Sequence, residues 1–262
     1  MTERTVDGVT LLGDFGRQGR VTFAFTERTG GVSVAPFSSL NLGDHVGDDA
    51  SSVAENRALA LAALGASAFA DSLVVPNQVH GDRVVSVASS DPADVAAVQA
   101  AARQGADAVV CTAPCVPVLL CYADCVPVVL VAPGGFAVVH SGWKGTYARI
   151  AQKALGVLCD AASASPSEVV AYIGPHIAGC DYEVSIELLN RFETEFGSMV
   201  EAGPRRLSLA AAIEKSLVSA GMDPCNIVNP EISTPASTDR FFSYRAEGGV
   251  CGRHGAIAWL AP

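Results

Sequence analysis

CYADCVPVVLVAPGGFAVVHSGWKGT, residues 121–146, contains two apolar runs separated by Pro-Gly-Gly. Residues 126–131 and 136–139 are rich in β-branched side chains, which predicts a buried strand, a tight turn and a second strand. Cys125 and His140 stand at the open end of this hairpin. A turn of even length places them on the same face of the sheet, within a few positions of being opposite. A thiolate and an imidazole that converge there suit either a transition metal such as zinc or a Cys-His nucleophile pair.

The composition indicates one domain with an acidic surface. Half of the 262 residues are hydrophobic, 17% are charged, and no linker-like segment divides the chain. We therefore predict a single domain over residues 1–262 with a sizeable core. Acids outnumber bases by 27 to 17, and the formal net charge of −10 argues against nucleic acid and anionic membranes as partners. An anionic substrate must meet a local cluster of Arg or Lys.

The N-terminus and the cysteines predict a cytoplasmic protein. The first fifteen residues are polar, without the apolar core of a signal peptide, and no later run has the length of a membrane span. In the cytoplasm the eight cysteines are expected to be mostly buried thiols and not disulfides. A four-thiolate zinc site at residues 111, 115, 121 and 125 is disfavoured, because the intervening apolar runs are typical of strands.

Periodicity and capping residues predict mixed secondary structure in the rest of the chain. Asp49, Ser51 or Ser52 can cap a helix that ends before Gly65, and Ser90 or Asp91 can cap a second helix that ends at Gly105. The further predictions are β structure over 9–25, strands on both sides of the polar turn within 73–87, strands between 106 and 131, one helix after GWKG, a strand before IGPH, helices over 185–196 and 208–220, and a short closing strand.

Three residues form a candidate metal-binding set. His80 lies in the polar turn NQVHGD between two apolar runs, where a side chain can be directed into a site. With Cys125 and His140 it gives two nitrogen donors and one sulfur donor, which leave the fourth position of a tetrahedral ion open. That arrangement is typical of catalytic zinc, whereas a fourth protein ligand such as His176 would indicate a structural site. Isolated His and Cys residues also have structural roles, so the residues alone leave both interpretations open.

A series of motifs then resembles one protein family. NQVHGDRV, ADAVV, ADCVPVVL, AVVHSGWKG, IGPHIAGCDYEV and FFSYR followed by GR occur in this order, after TERTGGVS and NLGDHVGDD near the N-terminus. Together they resemble the YfiH family, also called the polyphenol oxidase or laccase-domain family, over about residues 15–260. This chain differs in its tail, where Ala246 stands in place of a second Arg that relatives often have, which weakens the expectation of an anion contact there.

The resemblance implies a fold, an activity and a set of site residues. The fold is an α+β single-domain layered sandwich with mixed β-sheets flanked by helices, as a monomer or homodimer. The activity is that of a zinc-dependent purine nucleoside phosphorylase acting on adenosine, inosine and S-methyl-5′-thioadenosine, with adenosine deaminase activity; its partners are purine nucleoside and phosphate. The implied residues are His80, Cys125 and His140 as metal ligands and catalytic residues, Arg28 as a further catalytic residue, and Asn41, His45 and Arg245 for substrate binding.

The three candidate ligands and the local Arg and Lys residues lead to a hypothesis for the mechanism. Phosphate held by Arg28, just before the Thr-Gly-Gly turn, would attack the anomeric carbon of the ribose as the purine leaves. For deamination, activated water would attack the amino-bearing carbon of adenine. Asp107 and Asp124 could support the ligands from behind, but solvated or capping roles are favoured for them, and Phe241 and Phe242 are predicted to belong to the core.

Three other functions compete with this hypothesis. One is a metal-free hydrolase with Cys125 as nucleophile and His140 as base. A second is copper-dependent oxidation of phenols, which is disfavoured because five His and one Cys do not supply the several His-x-His pairs of a multicopper oxidase. The third is a non-catalytic interaction protein in which zinc fixes a loop.

Overall fold

The computed structural model describes residues 1–262, and eleven strands form two sheets. In chain order the strands are β1 (Thr2–Val6), β2 (Val9–Gly13), β3 (Val21–Thr26), β4 (Val84–Val87), β5 (Ala108–Cys111), β6 (Val118–Tyr122), β7 (Val126–Ala132), β8 (Gly135–Ser141), β9 (Val170–Ile173), β10 (Ile227–Val228) and β11 (His254–Leu260). The α-helices are α1 (Ala50–Ala63), α2 (Pro92–Arg103), α3 (Trp143–Tyr147), α4 (Ile150–Ala162), α5 (Ile186–Phe196) and α6 (Leu209–Ser219).

The two sheets differ in strand direction. The first has the order β1-β2-β3-β11-β6 and is antiparallel throughout. The second has the order β10-β9-β7-β8-β5-β4; its outer pairs β10-β9 and β4-β5 are parallel, while its central pairs are antiparallel. The second sheet is therefore mixed, as expected for the predicted fold.

Apolar side chains on both faces of each sheet produce a layered sandwich. Phe25 and Leu120 of the first sheet pack with Val129 and Val138 of the second, which fills the space between the sheets. The opposite face of the second sheet packs against α4, α5 and α6, and the opposite face of the first sheet packs against α1. The central strands of the second sheet are covered on both faces. All residues of β7 are therefore buried, and the strand does not alternate between apolar and polar side chains.

β7 and β8 form the predicted hairpin. Ala132 pairs with Gly135 across a two-residue turn, and Pro127 lies opposite His140. Since the turn has an even length, Cys125, two residues before Pro127, lies on the same side as His140. Val138 on this side belongs to the core between the sheets, so both polar side chains lie at one end of that core.

Local chemistry explains the helix ends, and four strand or helix predictions need correction. Asp49 and Asp91 accept backbone hydrogen bonds at the starts of α1 and α2, as predicted. The strand predicted before the polar turn within 73–87 is absent, because only Val74 makes an isolated bridge there, to Val118. The predicted β structure over 9–25 is interrupted at 14–20, and the polar segment that forms β1 was not predicted as a strand. The predicted single helix after GWKG is two helices, because Arg149 between them has a left-handed φ of 60°. None of the helices combines the length and apolar character needed to cross a bilayer.

Candidate metal centre

Three side chains from separate segments meet at the end of the core between the sheets. His80 comes from the turn before β4, Cys125 directly precedes β7, and His140 lies near the end of β8. Their potential ligand atoms all lie within 4.8 Å of one another. The imidazole rings of the two histidines are nearly perpendicular, with centroids 4.8 Å apart. The fold thus brings together the three residues that the sequence suggests as ligands.

Gly142 leaves room for this group. A Cβ atom at this position would lie 3.0 Å from His80 Cδ2 and 3.1 Å from Cys125 Sγ. Both separations are shorter than an ordinary van der Waals contact, so a side chain at this position would displace one of the two groups. The glycine of the Ser-Gly-Trp motif therefore lets the backbone at the start of α3 pass beside the candidate ligands.

Asp107, just before β5, holds two of the three residues in place. Its fully buried carboxylate accepts hydrogen bonds from His80 N at 2.9 Å and Gly81 N at 2.7 Å, and it lies 2.8 Å from His140 Nδ1. A carboxylate beside Nδ1 favours the proton on that nitrogen and leaves Nε2 free to bind a metal. The predicted solvated or capping role of Asp107 is wrong. The sequence did contain a signal for this buried role, because Asp107 stands between two alanines at the start of a predicted strand.

The electrostatics of the group favour a deprotonated thiol. Burial raises the pKa of the Cys125 thiol, but the neighbouring His140 and His80 outweigh this effect and bring the pKa down to about 6. Burial lowers the pKa of His140, whereas the Cys125 thiolate and Asp107 raise it to about 9. Near neutral pH the metal-free pair is therefore a thiolate beside an imidazolium. The thiolate is the form of cysteine that binds a metal or acts as a nucleophile.

The donor set fits a single tetrahedral metal ion. With metal–ligand bonds of about 2.0–2.3 Å, the ligand atoms of a zinc site lie about 3.5 Å apart. The three candidate atoms are at most 4.8 Å apart, which is close to that spacing. All three residues border a cavity of 570 Å³, so the fourth coordination position can face a bound molecule.

Comparison with known proteins shows similarity along nearly the whole chain. The model of the family described as multi-copper polyphenol oxidoreductase laccase matches residues 22–261. The chain belongs to this family. Within it, a protein named purine nucleoside phosphorylase from Deinococcus radiodurans is 38% identical over 243 residues, which cover 92% of this chain and 89% of the relative. Adenosine deaminase RL5, from an unknown prokaryotic organism, is 33% identical and covers 92% and 94% of the two chains.

A solved structure supports the same assignment. The crystal structure of YlmD from Geobacillus stearothermophilus has a TM-score of 0.86 and 30% sequence identity, and the alignment covers 99% of this chain and 98% of that one. The predicted membership of the laccase-domain family and the predicted α+β sandwich are both confirmed.

The copper in the family's description does not match the donors of this member. The chain has five histidines, and its one group of at least three candidate ligands is His80, Cys125 and His140. A multicopper oxidase needs several clustered histidine pairs. The residues of this laccase-domain protein fit one mononuclear site and do not fit a multicopper centre.

Aromatic rings and cations line the cavity next to the candidate ligands. Trp143, Tyr182 and Tyr244 contribute apolar faces, and His45 and Arg245, two predicted substrate-binding residues, also border it. The Arg245 guanidinium lies over the Tyr182 ring at 5.3 Å. Asp124, predicted to be solvated or capping, is buried instead and accepts the backbone N–H of Arg245 at 2.7 Å. Tyr182, Tyr244 and Arg253 were not predicted, although the Gly-Arg motif marked the position of Arg253.

Arg28 does not border the cavity. Its Nη1 donates to Thr238 O at 2.7 Å and to the Glu247 carboxylate at 3.0 Å, and its Nε donates to Ser38 O at 3.0 Å. The guanidinium also lies over the Phe242 ring at 4.3 Å. The structure therefore does not place Arg28 at the cavity, and its Nε and Nη1 donors hold neighbouring segments of the protein together.

Asn41 likewise does not border the cavity. It is fully buried, its Oδ1 accepts the backbone N–H of Arg253 at 2.8 Å, and its Nδ2 donates to Asp48 at 2.8 Å. Asn41 thus positions the backbone of Arg253, a residue that does border the cavity. The predicted direct contact between Asn41 and substrate becomes an indirect one.

The remaining candidates lie outside the centre. His176 is buried and directs Nδ1 at Gly174 O, 2.8 Å away, so it does not supply a fourth ligand. Cys121 directs its thiol at Leu42 O and is not part of the metal-binding group, which argues against a four-thiolate site. Phe241 and Phe242 are fully buried, in agreement with their predicted place in the core.

Proposed function

We propose that the protein is a zinc-dependent purine nucleoside phosphorylase for adenosine, inosine and S-methyl-5′-thioadenosine, with adenosine deaminase activity. The principal observation is the His-Cys-His group that borders a 570 Å³ cavity with aromatic walls. That volume lies within the range of small-molecule sites. Relatives at 38% and 33% identity that are named purine nucleoside phosphorylase and adenosine deaminase support the substrate class.

The chain's own residues would bind and orient the reactants. His80, Cys125 and His140 would hold zinc, which when bound supplies Lewis-acid activation of water or of a substrate oxygen. Asp107 would keep His140 in the orientation and tautomer that a metal requires. The faces of Trp143, Tyr182 and Tyr244 would pack against the purine and exclude water from it.

The two proposed reactions break different bonds of one bound nucleoside. Phosphorolysis breaks the bond between the ribose anomeric carbon and the purine, through a transition state with oxocarbenium character. Deamination replaces the amino group of adenine with oxygen from water. Groups that fix the nucleoside and its attacking partner lower either barrier by removing the entropy cost of bringing them together.

Product analysis tests this proposal. The zinc-loaded protein is incubated with adenosine, with and without phosphate, and the products are separated by chromatography. We expect adenine and ribose 1-phosphate only when phosphate is present, and inosine without it. Removal of zinc with a chelator should abolish both reactions, and added zinc should restore them. Full turnover by protein with no measurable metal, or no turnover with zinc bound, would contradict the proposal.

A pair of cysteine variants provides a matched control. Cys125→Ala removes the sulfur donor, and we expect it to lose zinc and activity. Cys180→Ala removes an exposed thiol that is not part of the group, and we expect it to keep both. Equal zinc content in the two variants would exclude Cys125 as a ligand.

The thiolate beside an imidazolium favours one second candidate, the metal-free Cys-His hydrolase. In metal-free protein, alkylation of Cys125 should increase with pH around a midpoint of about 6, because its pKa is lowered to that value. We expect bound zinc to protect the Cys125 thiol from alkylation, and mass spectrometry measures the alkylated fraction. A thiol that zinc does not protect, together with a hydrolytic activity that alkylation removes, would favour the hydrolase.

A further inference from the structure

A smaller cavity lies beside the metal-centre cavity. Its volume is 210 Å³, and it shares His45, Gln78 and Cys121 with the larger one. Its other walls include Arg57 from α1 and Arg103 from the last turn of α2. We call this space the arginine cavity. Because the two cavities share these three wall residues, they are adjacent.

Arg57 is anchored in the arginine cavity but keeps an unused donor. Its Nε donates to Leu42 O at 2.9 Å. Its Nη2 is buried and has no hydrogen-bond partner, although the Asp44 carboxylate lies 3.2 Å away in an ion pair. Asp44 also faces His45, and its side chain is 57% exposed at the rim. Arg57 Nη1 makes no hydrogen bond or salt bridge within the chain, so this nitrogen is the donor that remains for an anion in the cavity.

Arg103 adds a second guanidinium with no partner in the chain. It is exposed and belongs to none of the chain's salt bridges. Asn77, also in the wall, offers an amide donor. The two arginines against Asp44 leave one formal positive charge in excess, in a chain whose net charge is −10. This local charge is the kind of cluster that an anionic substrate requires in an acidic protein.

The other arginines near the site are already engaged. Arg253 Nη1 donates to Cys251 O and Gly252 O, both at 2.9 Å. The Arg245 guanidinium donates to Glu183 O at 3.3 Å. Arg28 is paired with Glu247 away from the cavity. Arg103, in the arginine cavity, differs from these residues because its guanidinium makes no hydrogen bond or salt bridge within the chain.

We propose that the arginine cavity binds a phosphate-type oxyanion through Arg57 and Arg103, beside the nucleoside in the metal-centre cavity. Guanidinium groups recognise phosphate oxygens with paired, charge-assisted hydrogen bonds. The oxyanion is either inorganic phosphate or the phosphate ester of a nucleotide. As a phosphate site for phosphorolysis, this inference rests on the proposed function and replaces Arg28 in that role.

The reaction balances with phosphate in this place. A phosphate oxygen forms the new bond to the ribose anomeric carbon, and the bond from that carbon to the purine nitrogen breaks. The electron pair leaves with the purine, which takes up one proton. No oxidant or reductant is required.

Two variants and a matched control test the site. Arg103→Gln removes an exposed charge with no partner, and Arg57→Lys keeps the charge but removes the planar donor pair. Arg206→Gln is the control, because Arg206 is exposed and borders neither cavity. The measurements are the Kd of inorganic phosphate by isothermal titration calorimetry, the KM for phosphate, and the ratio of phosphorolysis to phosphate-free deamination.

We expect both test variants to raise the Kd and the KM for phosphate by about tenfold, since a charged hydrogen bond contributes about 1.5 kcal/mol or more. The ratio of phosphorolysis to deamination should fall by a similar factor, whereas a general loss of structure would lower both reactions together. Arg206→Gln should behave as the unmodified protein. Unchanged binding of both inorganic phosphate and a nucleoside 5′-monophosphate in the two test variants would overturn the inference, even if phosphorolysis is observed.

A nucleoside 5′-monophosphate distinguishes the two sources of the oxyanion. If it binds in a manner that depends on Arg103 and inorganic phosphate does not, the site recognises a phosphate ester. If the variants weaken phosphate binding but no phosphorolysis product forms in any of the proteins, the anion site is supported and the proposed phosphorylase activity fails.

Discussion

His140 and Arg28 were both predicted as site residues, and each meets a carboxylate in the folded chain. His140 uses one ring nitrogen for Asp107 and keeps the other for Cys125 and the cavity. Arg28 donates to Glu247 and to two backbone carbonyls, and it lies away from the cavity. The comparison shows that a neighbouring carboxylate does not by itself mark a functional residue, because only His140 also borders the cavity.

The largest effect is expected from replacing His140. His140→Ala removes a proposed ligand, and we expect loss of tight zinc binding together with a decrease of more than about a thousandfold in both proposed activities, since a bound metal supplies several kcal/mol. Zinc content and kcat/KM for adenosine measure the effect. Arg28→Gln is the comparison variant and should keep its zinc. A His140→Ala protein with normal zinc content would show that the residue is not a ligand.

A smaller effect is expected from the carboxylate behind His140. Asp107→Asn keeps the side-chain size but loses the charge that orients His140 and accepts the N–H groups of His80 and Gly81. We expect zinc affinity to fall by about 10- to 100-fold. Competition with a chelator of known affinity measures it. Glu247→Gln, which removes the corresponding carboxylate beside Arg28, should leave zinc affinity unchanged; an equal loss in both variants would indicate general destabilisation.

The smallest effect on activity is expected from replacing Arg28. Arg28→Gln should lower the free energy of unfolding by about 1–3 kcal/mol, because it removes a partly buried charged hydrogen bond. The KM for phosphate should remain within about twofold, because Arg28 borders neither cavity. Urea unfolding and phosphate kinetics separate the two quantities. A large increase in KM at unchanged stability would restore Arg28 as the phosphate residue.

Much of the local structure could be predicted because its causes are local. Asp49 and Asp91 cap helices by bonding N–H groups a few residues away, and an even turn after β7 sets the side on which Cys125 and His140 lie. β1 could not be predicted, since its polar residues form a strand only through pairing with β2 at the edge of a sheet.

Some features of the candidate site could likewise be predicted from the sequence, and others could not. The residue types and motifs of the sequence determined the three candidate ligands, because soft donors in turns and at strand ends were recognisable without a structure. Only the tertiary structure decided that Asp107 supports them, that Arg28 is engaged elsewhere, and that Arg57 and Arg103 share a cavity. These relations depend on how α1, α2 and the two sheets pack, and side chains distant in sequence carry no local pattern that records their contact.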